Sequence, residues 1–219
     1  MVILVPVKKL ACAKQRLSTV LDAAERTALA GAMLEDVLQT LAAWAKCPPV
    51  ALVTSDPRAC RLAQQFSFEV IEDPTNRSES DAIAMATGVS EAEGASGTLV
   101  LPGDIPLVRV SELEEMVAAA PPVGTVLVSS ADGRGTNAVW RRPAALFPLS
   151  FGGDSFLRHW QAARATGKPC TVLRLPGIAL DVDTPEDLAR LLAADGNGNA
   201  HRLLRAWNVP ERLLTPTRV

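Results

Sequence analysis

The stretch Thr98-Leu99-Val100-Leu101-Pro102-Gly103-Asp104-Ile105-Pro106 reads as a short, fully apolar strand ending in a turn that carries a carboxylate. An apolar run without alternation suits a strand covered on both faces, as in parallel sheets. In such sheets ligands bind beyond the carboxyl ends of the strands. Asp104 therefore sits where chemistry is expected, although an ordinary turn aspartate before Pro106 would look the same.

Working outward, residues 2–7, 50–54, 69–71, 123–129, 137–140 and 171–175 read as further strands. Between them lie helical patterns at 22–44, 57–66, 80–91, 111–119, 155–166, 184–194 and 200–207. The first helix has Asp22 and Glu25 as a capping box and Leu29, Met33, Val37, Leu41 and Trp44 as its apolar stripe. Ile83, Ala86 and Val89 are expected inward on the third, and Ser111 with Glu114 is expected to cap the fourth. The β-α alternation predicts a mostly parallel, doubly wound α/β sheet in one domain, 1–219. Its core spans about 2–194, and 195–219 is a C-terminal extension with an extended tail. Val7, Asp56, Asp104 and Asp181 all fall at or just past expected strand ends.

Bulk composition narrows the function classes. With 219 residues and 48% hydrophobic content the chain can bury a substantial core, and a net charge of −2 argues against a polyanion-binding surface. No nucleic-acid role is expected, since no basic cluster exceeds Lys8-Lys9 or Arg141-Arg142. Cys12, Cys47, Cys60 and Cys170 lack C-x-x-C spacing and read as reduced thiols of a cytoplasmic protein. No apolar run reaches membrane-spanning length and no secretory leader pattern opens the chain, so neither membrane nor export is expected.

The segment Leu180-Asp181-Val182-Asp183-Thr184-Pro185-Glu186-Asp187-Leu188 places two carboxylates two residues apart on extended backbone, then starts a helix. Alternation turns Asp181 and Asp183 the same way, so one cation could be shared. Thr184 suits the N-cap and Pro185 the first helical position. Mg²⁺ commonly takes one or two carboxylates plus substrate phosphate oxygens. A second constellation, 5–17, carries Lys8, Lys9, Lys14 and Arg16 just after the first strand, which suits a triphosphate or simply a solvated loop. It has neither the P-loop nor the dinucleotide glycine pattern. Gly133-Arg134-Gly135-Thr136-Asn137 and Phe151-Gly152-Gly153-Asp154-Ser155-Phe156 are glycine-flanked turns, the second opening a helix that could hold an anion or be capped by Asp154 or Ser155. His159 lies one turn beyond Ser155, where substrate contact or a structural hydrogen bond would both fit.

Taken in order, these motifs resemble the guanylyltransferases of coenzyme F-420 biosynthesis. The similar segments are Val5-Pro6-Val7-Lys8, Ala13-Lys14-Gln15-Arg16-Leu17, Met33-Leu34-Glu35-Asp36-Val37, Gly103-Asp104-Ile105-Pro106-Leu107 and Gly135-Thr136-Asn137-Ala138. Phe151-Gly152 with Ser155-Phe156 and His159, and the 180–188 segment, complete the set. The resemblance implies a three-layer, Rossmann-like nucleotidyltransferase fold with a mostly parallel mixed sheet. It implies Mg²⁺ on Asp104, Asp181 and Asp183, and an acceptor acid held by Thr136, Gly152 and Ser155. Pro6, Lys8, Lys14, Arg16, Ser80 and Asp104 would face the nucleotide, with Lys8, Lys14 and Arg16 catalytic along the GTP phosphates. Its partners would be GTP and a phosphorylated three-carbon acid, with a homodimer as the assembly considered. Phosphoenolpyruvate is the first-ranked acceptor, ahead of 2-phospho-L-lactate and 3-phospho-D-glycerate; the rivals are a different nucleotide choice or lapsed activity. One departure bears on the last point. Ser80 stands where the family usually has asparagine, and a hydroxyl cannot present donor and acceptor on one planar amide.

Overall fold

Residues 1–214 are described by a computed structural model. The strands are β1 (Val2–Pro6), β2 (Val50–Val53), β3 (Glu69–Ile71), β4 (Thr98–Val100), β5 (Gly124–Ser129), β6 (Thr136–Arg142) and β7 (Cys170–Leu173). They form one sheet in the order β3-β2-β1-β4-β6-β5-β7. The pairs β1·β2, β1·β4, β2·β3 and β5·β7 are parallel, whereas β6 runs antiparallel to both β4 and β5. The expected mostly parallel, mixed sheet is therefore what forms, with β6 as its reversed strand.

The helices are α1 (Ala23–Ala43), α2 (Pro57–Gln65), α3 (Glu79–Ala92), α4 (Val110–Ala118), α5 (Ser155–Ala165), α6 (Pro176–Ala179), α7 (Pro185–Ala193), α8 (Asn199–Ala206) and α9 (Val209–Leu214). Strand alternation explains the three layers. Ile3 and Val5 join a core with α1, α2 and α4, whereas Val2 and Leu4 pack on Ala82, Ile83 and Ala86 of α3. Leu127 and Val139 carry that second face on to Ala163 of α5.

Every expected strand and helix occurs within two residues of its expected ends, but four details differ. The α4 cap uses Glu112, not the Ser111–Glu114 pair: its carboxylate accepts the Arg109 N–H at 3.1 Å and the Gly177 N–H at 2.7 Å. Glu114 is exposed, so tertiary donors decide which acid is drawn in. Val89 is 37% exposed rather than inward. The four-residue α6 is too short to show a helical period. Finally, the expected extended tail begins as α9, and 215–219 lie outside the described residues.

The C-terminal helices belong to the packing that builds the site. Leu29 and Met33 on the outer side of α1 share a buried cluster with Leu17, Leu180, Val182, Leu188, Ala200, Leu204 and Val209. The Asp36 carboxylate accepts the Asn199 and Ala200 N–H groups at 2.6 and 2.9 Å, pinning the start of α8 to α1. This outer layer thus backs both the basic loop and the acidic 180–184 segment. Leu204→Ala is expected to cost about 2–5 kcal/mol of unfolding free energy, read by chemical denaturation. Turnover per folded molecule is expected to fall with it, because Leu204 shares its cluster with Val182.

Candidate active site

Two adjoining cavities open at the carboxyl ends of the parallel strands. The larger, about 630 Å³, is lined by polar groups including Arg16, Asp104, Thr136, Ser155, Asp181 and Asp183. The smaller, about 350 Å³, is more apolar and is lined by Pro6, Val7, Lys8, Ala30, Leu34 and Lys14 among others. Glu79, Pro102 and Asp104 line both, and so form the wall between them.

Lys14 is the centre of the arrangement. Its backbone is left-handed at φ 57°, and its side chain is only 6% exposed. Its Nζ donates to Asp104 Oδ2 at 2.5 Å and to Asp183 Oδ1 at 2.7 Å. Burial works against the ammonium charge, but the two carboxylates outweigh it and hold the lysine above its ordinary value. Asp104 reaches this point from the turn after β4, and its own carbonyl accepts the Val182 N–H at 3.2 Å. That bond clips the acidic segment to the sheet end.

The alternation expected for 180–183 holds. Leu180 and Val182 are buried in the outer cluster, while Asp181 and Asp183 line the larger cavity. Their partners differ. Asp181 Oδ1 accepts from Asn137 Nδ2 at 3.0 Å, and burial raises its carboxyl above the usual range against that bond. The same amide donates to the Ile178 and Ala179 carbonyls, so Asn137 ties the reversed strand to α6 and to Asp181. Thr184 caps α7 as expected, but the returning acid is Asp187, whose Oδ2 accepts the Thr184 and Asp183 N–H groups.

A divalent cation would find a pair here rather than a cage. Among the described residues no three His, Cys, Asp or Glu side chains cluster closely enough to hold a metal ion by themselves. Asp104 and Asp183 nevertheless share one ammonium, and Asp104 Oδ1 is buried without a partner. That donor set fits an ion taking one or two carboxylates and drawing its other ligands from substrate and water.

The other expected residues divide. Lys8 and Pro6 line the smaller cavity and Arg16 the larger. Ser80 lines neither; its Oγ accepts the Phe151 N–H at 2.9 Å and so holds the 150–155 turn against α3. Asp56 is no part of the cleft. It caps α2 and accepts three N–H groups, from Leu10, Arg58 and Ala59, which ties down the basic loop. Thr136, Gly152 and Ser155 line the larger cavity together. Gly152 sits at φ 109°, a conformation that side-chain-bearing residues rarely adopt. Asp154 makes no cap bond to α5 and instead pairs with Arg134 at 2.8 Å. The first N–H groups of that helix are also occupied: Ser155 N–H donates to Gly152 and Phe156 N–H to Arg134 carbonyl. An anion in this corner would therefore meet the Thr136 and Ser155 hydroxyls and the Arg134 side chain rather than these two amides.

His159 does not line either cavity. It is buried behind Thr136, with the Ser150 N–H at 2.8 Å from Nε2 and Thr136 Oγ1 at 2.9 Å from Nδ1. Burial, helped by Arg158 and Arg141, lowers it to about 4.

Sequence reasoning passed over Glu79. Its carboxyl is pushed up to about 7 by burial and then by Asp104. An acid at the first position of a helix is ordinary dipole chemistry, so nothing in the sequence distinguished it.

Comparison with known proteins gives this geometry a family. The sequence model described as "Guanylyl transferase CofC like" matches residues 1–210. The chain belongs to that family. Relatives named phosphoenolpyruvate guanylyltransferase include one from Rubrobacter xylanophilus, 37% identical over 88% of this chain and 93% of that protein. Another, from Sphaerobacter thermophilus, is 35% identical over 85% of this chain and 90% of that protein. Among solved structures, a Desulfovibrio desulfuricans protein described as a nucleotide-diphospho-sugar transferase superposes with a TM-score of 0.78, at 17% identity over 96% of this chain and 97% of that one. A cytidylyltransferase from Leptospira borgpetersenii gives 0.59 at 13% identity, over 100% and 98%. The nucleotidyltransferase fold expected from the motifs is thus the fold of this guanylyl transferase family member. None of its described helices is long and apolar enough to cross a membrane.

His159 supplies a pH signature. Its folded value of about 4 lies below the ordinary 6.5, so between those values the unfolded chain binds the extra proton and the folded one does not. Its contribution is complete above pH 6.5 and is lost as pH falls toward 4, by at most about 3 kcal/mol. Denaturation of the wild type against His159→Gln across this window should show that extra slope in the wild type alone.

Proposed function

We propose that this chain transfers GMP from GTP to phosphoenolpyruvate, with Mg²⁺ as cofactor, releasing pyrophosphate and forming a diphosphate-linked product. The observation that carries the reading is the meeting of the two cavities at Asp104. The smaller, apolar cavity suits a purine, and the larger one, with hydroxyls and cations, suits phosphates and a small acid. The names of the relatives supply guanine and phosphoenolpyruvate.

On this reading an oxygen of the acceptor phosphate attacks the α-phosphorus of GTP in line. A P–O–P bond forms, and the bond to pyrophosphate breaks with its electron pair leaving on the bridging oxygen. No general base is needed, because the attacking oxygen is already ionised near neutral pH. Asp104 and Asp183, with Asp181 beside them, would hold Mg²⁺, which supplies charge neutralisation between phosphates that otherwise repel. Lys14 keeps the two carboxylates at a spacing that one cation can share. Lys8 and Arg16, one on each cavity, oppose the negative charge of the triphosphate and of the departing pyrophosphate. Thr136, Gly152 and Ser155 seat the acceptor. The four free cysteines support a reducing, cytoplasmic setting for this work.

Pyrophosphate release with GTP is expected to be fastest with phosphoenolpyruvate when 2-phospho-L-lactate and 3-phospho-D-glycerate are run in parallel. Asp104→Asn or Asp183→Asn should lower turnover roughly 100-fold or more while circular dichroism stays native. Undiminished release from either variant would sink the assignment. GTP binding without pyrophosphate from any acid would point instead to a lapsed enzyme.

A further inference from the structure

Behind the floor of the larger cavity three side chains have their hydrogen-bond roles fixed from one end. The Ser150 N–H can only donate, and it meets His159 Nε2 at 2.8 Å. Nε2 therefore carries no proton, and in the neutral imidazole the hydrogen must sit on Nδ1. Nδ1 lies 2.9 Å from Thr136 Oγ1, so the threonine hydroxyl receives a hydrogen bond from the ring. The ring is only 1% exposed, which keeps it neutral.

Counting hydrogens gives the consequence. Thr136 and Ser155 contact each other through their hydroxyls at 3.2 Å, and both line the larger cavity. The pair owns two hydroxyl hydrogens, and one is used between them. Because Thr136 gives none to the ring, the other remains to be offered to the cavity. In the opposite tautomer Thr136 would donate to Nδ1 and Ser155 to Thr136, leaving no hydrogen for an anion. The Ser155 and Phe156 N–H groups cannot compensate, since both are already spent on carbonyls.

We propose that His159 is a positioning residue whose tautomer, dictated by the Ser150 N–H, makes the Thr136–Ser155 pair a hydrogen donor toward the anionic acceptor. The ring also fastens the turn carrying Gly152 to β6, so one side chain sets both the place and the polarity of this subsite. The inference rests on the acceptor seat proposed above, and the experiment separates the two.

Three variants, His159→Leu, His159→Gln and Thr136→Val, are compared by steady-state kinetics with GTP and phosphoenolpyruvate. His159→Leu should raise KM for phosphoenolpyruvate roughly tenfold or more, the size expected when buried partners are stripped, with KM for GTP within about twofold. His159→Gln, whose amide has an oxygen for Ser150 and an N–H for Thr136, should recover most of that loss. A fall in kcat or thermal stability alone, with the acid KM unchanged, would mean the ring is merely structural and overturns the proposal. If Thr136→Val also leaves that KM unchanged, it is the acceptor seat that fails; if Thr136→Val raises it and His159→Leu does not, only the present inference fails. Should His159→Leu not fold, the wild type still decides. Long-range ¹H–¹⁵N spectra of the two histidines, assigned with His201→Gln, must show the Nδ1–H form at His159. An Nε2–H form would refute it.

Discussion

Everything at the cleft hangs on one buried ammonium. Lys14 sits between Asp104 and Asp183, and each contributes to a contact that none would keep alone. A lone lysine at 6% exposure would shed its proton or leave the interior, and two carboxylates facing each other without a cation would repel. Joined, they fasten the basic loop after β1, the turn after β4 and the segment before α7. The left-handed backbone at Lys14, the Val182-to-Asp104 clip and the Asp187 cap all hold these pieces in register with it.

Two aspartates followed closely by proline show what sequence can and cannot reveal. Asp56 and Asp104 both stand just beyond strands, and as letters they are equivalent candidates. In the fold Asp56 is saturated by three backbone N–H groups, whereas Asp104 has one oxygen on Lys14 and one buried with no partner. Unspent valence is what marks Asp104, and not Asp56, as a carboxylate open to a further ligand. That difference depends on donors from other segments, which no local pattern encodes. The same holds for Glu112, chosen over Glu114 by the Gly177 N–H, and for Glu79, whose isolation in the wall between the cavities is wholly tertiary.

What was readable was whatever depends on neighbours along the chain. The apolar runs gave the strands because a strand buried on both faces is filled mostly by apolar side chains, and its polar exceptions, such as Thr98 and Arg141, are hydrogen-bonded. The Asp22–Glu25 box and the α1 stripe followed from helical spacing and occur as expected. Alternation alone turned Asp181 and Asp183 to the cleft, with Leu180 and Val182 to the core. Motif order carried the family, yet it placed Ser80 near the nucleotide, whereas the hydroxyl is engaged by the Phe151 amide and lines neither cavity. His159 stands in the same class: the motif marks the residue, and only its two ring partners reveal what it does.

The distance between Lys14 and Asp183 along the chain, 169 residues, has a consequence for synthesis. Local helices and the early parallel strands can form while the chain is still growing, but the cleft cannot close until its last acidic segment arrives. The outer layer that backs this segment comes later still, with α8 and α9. A nascent chain can bring Lys14 to Asp104 once the turn after β4 has emerged, but the second carboxylate is missing until residue 183. Competence is acquired in one late step, and a product stopped before residue 183 lacks the partner that completes the site.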